Sequence, residues 1–289
     1  MFLKPIPKNY TNKLKYAIFI LSFFICMSIN MLAGRDISTQ DMLQQSVENI
    51  GKLLTFASLL IPFVFLAVFL LIWVKVVHNQ SITSLITSRR RIDLKRMTYA
   101  FSVWTFFSIC SLTISYLLSP NDYILQFDAL QFIGLLIISI TLIPIQTTFE
   151  ELFFRGYLMQ GIYMFCAVRI VPFLLSSILF GLMHISNPEV ENMGIQIMII
   201  YIGSGLFLGA LTLLDDGMEL AIGYHAANNL VGCLLLTSEE TVFQTPSIFR
   251  YVGNMNMLEI YIQVFVIFPI LLFIFKKRFG FSISLKKLL

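Results

Sequence analysis

The stretch FEELFFRGY, residues 149 to 157, places two adjacent carboxylates and an arginine inside an apolar run that extends from about Leu125 to Phe165. A charge at the centre of a bilayer costs roughly 2.5 to 3.5 kcal/mol even on lenient insertion scales, so three of them need a reason. Helical geometry sorts the three. At about 100° per residue Glu151 and Arg155, four apart, share a face and can neutralise each other, whereas Glu150 points about 140° away from Arg155. Glu150 is left without a partner on its own helix. Desolvation of such a carboxylate favours uptake of a proton near neutral pH, which is the behaviour of a general base. The competing reading is a structural ion pair plus one carboxylate that reaches the membrane interface.

The chain has three histidines, and two of them fall deep in apolar segments. His184 closes FGLMH (180 to 184), and His225 opens HAANN within GYHAANN (223 to 229), beside Asn228 and Asn229. Phe180 lies one helical turn before His184, where its ring could fix the imidazole's rotamer. His225 and Asn229 are four apart and project an imidazole and a carboxamide from one face, two donors of the kind a developing oxyanion needs where water is scarce. Either histidine alone reads equally well as a structural hydrogen bond between helices. A carboxylate with two histidines and an asparagine reads as a site. His78, the third histidine, sits in a basic connection, where a solvated surface role is expected.

Other intramembrane chemistries lack their residues. There is no HExxH pattern for a zincin-like metal site. YIGSGLFLG (201 to 209) contains Gly-Ser-Gly but lacks the leading glycine of a GxSG serine motif, so Ser204 reads as a small packing residue. Asp215 and Asp216 are adjacent in a short loop and not on two facing helices. Gly203, Gly205, Gly209, Gly223 and Gly232 fall at spacings that let helices approach closely. Cys26, Cys110, Cys166 and Cys233 show no CxxC spacing and are expected as small core residues.

These residues need apolar helices to hold them. The 289 residues are 57% hydrophobic and only 12% charged, with a mean hydropathy of +0.83, which is the composition of an integral membrane protein. The expected fold is all-α, a polytopic bundle of about eight transmembrane helices, near 16–34, 53–74, 98–118, 126–150, 170–188, 193–213, 217–236 and 257–275. The fourth is the least defined at its end. With the N-terminus inside, sixteen Lys and Arg fall in inner segments and three, Arg35, Lys52 and Arg250, in outer loops. That bias predicts a cell-membrane protein with both termini cytoplasmic. The net charge of +4 is therefore a topology signal and implies no nucleic acid. The basic connection at 89–96 is expected as a solvated retention signal, and the polar connections 35–52, 76–97 and 237–256 as too short to fold alone. The N-terminal lysine-rich start and apolar run are read as an uncleaved first helix.

EELFFR (150–155), FGLMH (180–184) and HAANN (225–229) resemble, in order, the EExxxR, FxxxH and HxxxN motifs of the CAAX-processing endopeptidase and bacteriocin-processing (CPBP or Abi) family. The resemblance covers about residues 130 to 236 and divides the chain into motif-free helices at 1–124, a catalytic core at 125–236, and an outer loop, last helix and basic tail at 237–289. It implies an intramembrane glutamate-dependent endopeptidase. Glu150 and His184 would activate a water, His225 and Asn229 would hold the oxyanion, and Glu151, Arg155 and Phe180 would support them. It further implies a peptide or membrane-protein substrate reached within the lipid bilayer, bacteriocin or pheromone processing or self-immunity as the setting, and no cofactor. Zinc held by Glu150 and the two histidines is the minority alternative, and a non-catalytic immunity or scaffold protein of the same fold is the alternative function.

One depth does not close. Measured from a turn near residue 167, Glu150 and His184 lie about 25 Å along their helices, but His225 is only about 13 Å from the loop at Asp215. The expectation is that part of 156–171 lies outside the hydrocarbon.

Overall fold

The computed structural model describes residues 2–3, 13–34, 37–254 and 256–283. Lys4, Lys8, Arg35, Lys286 and Lys287, which enter the charge bias, lie outside the described residues.

The chain folds as a helical bundle. Helix α1 spans Lys13–Ala33 and α2 spans Thr39–Val76. Ser38 caps α2 by accepting from the Asp41 amide, and Gly51 breaks it with φ 79° and ψ 162°, a conformation open to a residue without Cβ. A short α3, Ile82–Ile86, follows, then α4, Leu94–Leu118, capped by Asp93. Asp128 caps α5, Ala129–Glu151. The helix then widens into seven π-helical residues, Leu152–Leu158, and runs on as α6, Met159–Cys166, which ends at left-handed Ala167. Helices α7 (Ile170–Leu182), α8 (Pro188–Met193), α9 (Met198–Leu214) and α10 (Glu219–Leu235) come next. The last helix joins α11, Met257–Ile262, through a π-helical turn to α12, Phe268–Phe279.

A helix lies at each of the eight predicted places. Among the described residues six are long and apolar enough to cross a membrane. The exceptions are the fifth and seventh, α7 with 13 residues and α10 with 17, against about 20 for a full crossing. The fourth is longer than expected, a continuous 38-residue helix from Ala129 to Cys166. Its length resolves the depth mismatch. It runs antiparallel to α10, with Ser139 beside Cys233, Gln146 beside Asn229 and Gly156 against Met218. Helix α6 therefore continues past the turn that joins α9 to α10.

Close approaches fall where glycines allow them. A Cβ on Gly205 would collide with the Ser177 carbonyl of α7, and one on Gly223 with the Met97 carbonyl of α4. Gly203 and Gly209 would press on Val264 and Phe173 at 3.0 and 3.1 Å. Gly232 has open space around it, so the packing role expected for it does not hold. Of the cysteines only Cys233 is buried, and Cys26 is exposed.

Polar connections are more ordered than their composition suggests. Strands β1 (Tyr123–Leu125), β2 (Leu236–Thr237) and β3 (Phe249–Tyr251) form a small sheet in the order β1-β3-β2, with β3 antiparallel to β1 and parallel to β2. In the basic connection, Arg89 pairs with Glu219 at 3.0 Å and with Asp215 at 2.9 Å, and Arg96 reaches Asp215 at 3.5 Å. Those two arginines latch the α9–α10 turn, while Arg90, Arg91 and Lys95 stay exposed. His78 departs furthest from expectation. It is buried, its Nε2 lies 2.9 Å from Tyr157 Oη, and its ring packs 4.2 Å from that of Tyr16.

Burial, with Lys15 nearby, pushes the His78 pKa down to about 4. The unfolded chain takes up that proton near 6.5, so acidification through the window from about 6.5 to 4 drains stability. In detergent, the melting temperature of the wild type should fall from pH 7 to 5 more steeply than that of His78→Phe; equal slopes would remove His78 as the cause. Gly205→Ala should lose about 1 to 3 kcal/mol by overpacking, and Gly232→Ala should not. Thermal unfolding of the pair reads the difference directly.

Candidate active site

Arg155 is fully buried on the π-helical stretch, and a guanidinium cannot shed its charge. Its Nη1 donates to Glu151 Oε1 at 2.9 Å, its Nη2 to the Gly205 carbonyl at 3.3 Å, and its Cζ sits 4.1 Å from the Phe180 ring centroid. The pairing expected from the i, i+4 spacing is present. Unforeseen is a second partner for Glu151: His225 Nδ1 lies 2.8 Å from the same Oε1. An ionised carboxylate only accepts, so that nitrogen carries the hydrogen and His225 Nε2 faces inward.

Glu150 points away from Arg155, as the face argument requires. Its Oε1 accepts from Gln146 Nε2 at 2.7 Å. Its Oε2 lies 3.5 Å from His225 Nε2, a charge contact too long to count as a hydrogen bond, and is otherwise buried without a partner. The sequence pointed to His184 as the partner of Glu150; the structure puts His225 there. His184 sits just past the end of α7, where its Nδ1 is 2.9 Å from the Phe180 carbonyl. A carbonyl only accepts, so a neutral His184 keeps its lone pair on Nε2. Its ring stacks on Tyr201 at 4.5 Å and 17°.

Phe180 lies at the centre. Its ring is 5.0 Å from that of His184 and 5.9 Å from that of His225, so it packs both imidazoles and the guanidinium. Asn229 donates through Nδ2 to Gln146 Oε1 at 3.0 Å. The seven residues singled out in the sequence therefore come from α5 and its π-helical extension, the end of α7, and α10, and they converge on one cluster, in which His184 and Asn229 are half-buried and the others buried.

Comparison with known proteins gives this arrangement a family. A family model described as type II CAAX prenyl endopeptidase Rce1-like matches residues 130–231. YyaK, an uncharacterised protein of Bacillus subtilis (strain 168), is 31% identical over 208 residues, which cover 71% of this chain and 68% of that protein. The chain belongs to the Rce1-like CAAX endopeptidase family. No solved structure matches it.

Membership in the Rce1-like family supports a protease of the CAAX type in a multi-pass membrane bundle. The matched region runs from the start of α5 into α10 and contains all seven residues. Sequence reasoning missed Gln146, Tyr201 and Trp104 as parts of this cluster. Gln146 had a signal, since it is polar, lies in an apolar run and precedes Glu150 by one turn. Trp104 had none, because it lies on α4, outside the matched region, and reaches Asn228 only through tertiary packing, with its Nε1 donating to Asn228 Oδ1 at 3.1 Å.

The ion pair fixes a test. Glu151→Gln leaves Arg155 buried without its carboxylate and should lose about 3 to 5 kcal/mol. Glu151→Gln combined with Arg155→Met should fold better than Glu151→Gln alone, because the unpaired buried guanidinium is gone. Melting temperatures of the three proteins in one detergent measure the coupling.

Proposed function

We propose that the protein is a glutamate-dependent, metal-independent intramembrane endopeptidase. The reading is carried by one observation: Glu150 has one carboxylate oxygen held by Gln146 and the other buried without a hydrogen-bond partner, beside His225 Nε2. A base needs such a free acceptor within reach of a water's proton.

Glu150 Oε2 takes a proton from a water oriented by the lone pair of His184 Nε2, and the water oxygen forms a bond to the peptide carbonyl carbon. The carbonyl π electrons move to oxygen. Asn229 Nδ2 has a second hydrogen to give that oxyanion. His225 can give one from Nε2 when its ring is doubly protonated, which also balances the buried charges of Glu150, Glu151 and Arg155. The carbon–nitrogen bond then breaks, and the proton on Glu150 passes to the leaving nitrogen, so the products are an acid and an amine. Tyr201, Phe180 and the Phe180 carbonyl hold His184 in place.

No step runs through a metal. Among the described residues no three His, Cys, Asp or Glu side chains gather as a ligand set. The Lys and Arg bias places both termini in the cytoplasm. For the substrate we infer a CAAX-type or other membrane-associated peptide, and for the setting peptide maturation or self-immunity in a bacterium, in keeping with the Bacillus relative.

Internally quenched CAAX-type peptides, prenylated and unprenylated, test the reaction with protein in nanodiscs. Glu150→Ala should abolish cleavage, and Asn229→Ala should slow it about a hundredfold to a thousandfold, as for other oxyanion donors. Chelators should leave the rate unchanged. Wild-type cleavage by Glu150→Ala, or loss with chelator that zinc restores, would overturn the mechanism.

A further inference from the structure

Four hydrogen bonds run in one direction from α4 to Glu150. Trp104 Nε1 donates to Asn228 Oδ1 at 3.1 Å, Asn228 Nδ2 to Asn229 Oδ1 at 3.1 Å, Asn229 Nδ2 to Gln146 Oε1 at 3.0 Å, and Gln146 Nε2 to Glu150 Oε1 at 2.7 Å. The chain crosses three helices. The two ends are chemically one-sided, since an indole N–H only donates and an ionised carboxylate only accepts. Each of the three amides between them could be turned over, with its oxygen and nitrogen exchanged, if it stood alone. Between a donor-only and an acceptor-only end, one order satisfies all four bonds. Turning one amide sets oxygen against oxygen on one side and nitrogen against nitrogen on the other, which loses two bonds at once.

We propose that Trp104, Asn228 and Gln146 are positioning residues that set the direction of the Asn229 amide, with Trp104 as the anchor. The proposal rests on the reading of Glu150 as base and Asn229 as oxyanion donor, and it deepens that reading. With the chain in this order, the Asn229 nitrogen faces the Glu150 side, one of its hydrogens held by Gln146 and the other left for the substrate. In the reverse order Asn229 would turn a carbonyl oxygen toward the oxyanion and repel it. The buried Gln146 is fixed at both ends. Asn228 is exposed, so water could bond its amide in either orientation, and the indole removes that freedom.

The scaffold brings Trp104 into place. Gly223 lets the backbone of α10 approach Met97 on α4, and the Trp104 ring packs 4.7 Å from that of Tyr224. A helix outside the matched family region thereby reaches the site through a single indole N–H.

The test compares Trp104→Phe, which keeps a ring and removes the donor, with Asn228→Asp. An ionised carboxylate in place of the Asn228 amide still accepts from Trp104 but cannot donate to Asn229 Oδ1, so it favours the turned Asn229 amide, whose nitrogen it can accept from. With the quenched peptide that the wild type cleaves fastest, Trp104→Phe should lower kcat about threefold to tenfold, the worth of one neutral hydrogen bond, at unchanged KM. Asn228→Asp should lower kcat further than Asn228→Ala does, because it reverses the amide and does not merely free it. Melting temperatures near wild type separate these effects from misfolding. The chain has two tryptophans, so in protein with 15N-labelled indoles the Trp104 signal can be followed without substrate, and Asn228→Ala should shift it. An unmoved indole signal, or wild-type kcat in both Trp104→Phe and Asn228→Asp while Glu150→Ala is dead, would overturn the relay. Wild-type cleavage by Glu150→Ala would instead overturn the reading on which it rests.

Discussion

Arg155 is a permanent charge with no access to water, and the arrangement of the half that carries the motifs follows from pairing it. Glu151 neutralises it from its own helix, the Gly205 carbonyl accepts a bond from it, and the Phe180 ring lies under its plane. Each contact brings a different helix. Gly205 can offer its carbonyl because α9 lies close against α7, an approach that a side chain at this position would block. His225 is added through Glu151, so one guanidinium ties together α5, α7, α9 and α10. A buried ion pair of this kind adds little net stability, because desolvation offsets most of the Coulomb energy. What it supplies is geometry, since few arrangements of four helices give its charge a carboxylate and its two terminal nitrogens acceptors, as here, where Nε alone is left without a partner.

The neighbouring carboxylates have opposite fates for the same reason. Glu151 is committed to Arg155 and His225 through one oxygen. Glu150, one residue earlier and on another face, meets no arginine, and its environment is a neutral amide on one oxygen and an imidazole near the other. Adjacent residues of one type therefore acquire different chemistry from a rotation of about 100° around a helix axis. In an apolar bundle this holds a carboxylate with one unbonded oxygen beside one committed to an ion pair.

How much of this could be read in the sequence depends on the range of each interaction. The Glu151–Arg155 pair and the separation of Glu150 from it were legible, because they follow from spacing along one helix. So were the helical bundle and the glycines at 205 and 223. The bond from His225 to Glu151 spans 74 positions, and no periodicity points to it. His78 looked solvated because its neighbours in sequence are polar, but its neighbours in space are Tyr16 and Tyr157. Helix length was misjudged where apolar character ran on past the charges: 156–166 is one continuous helix with α5, and α7 and α10 are shorter than hydropathy alone suggested. The small sheet had no signal, since strands of two or three residues carry too few side chains to show alternation.

The π-helical stretch shows why the motif-free first half of the chain matters to the second. It begins directly after the two carboxylates, and π-helical turns recur at functional sites although their hydrogen bonds are poorer than those of an α-helix. Seven successive residues in this geometry need support from outside the helix. All seven, Leu152 to Leu158, are buried. Leu85 of α3 and Met218 press on Gly156, and Phe153 packs against Phe19 and Phe23 of α1. Tyr157 accepts a hydrogen bond from Trp73 of α2 and meets His78 just beyond it. The N-terminal helices thus clamp the widened turn from several sides, and the clamp ends within two turns of Glu150. The motifs supply the clustered polar groups, and helices without any motif hold the backbone that carries them.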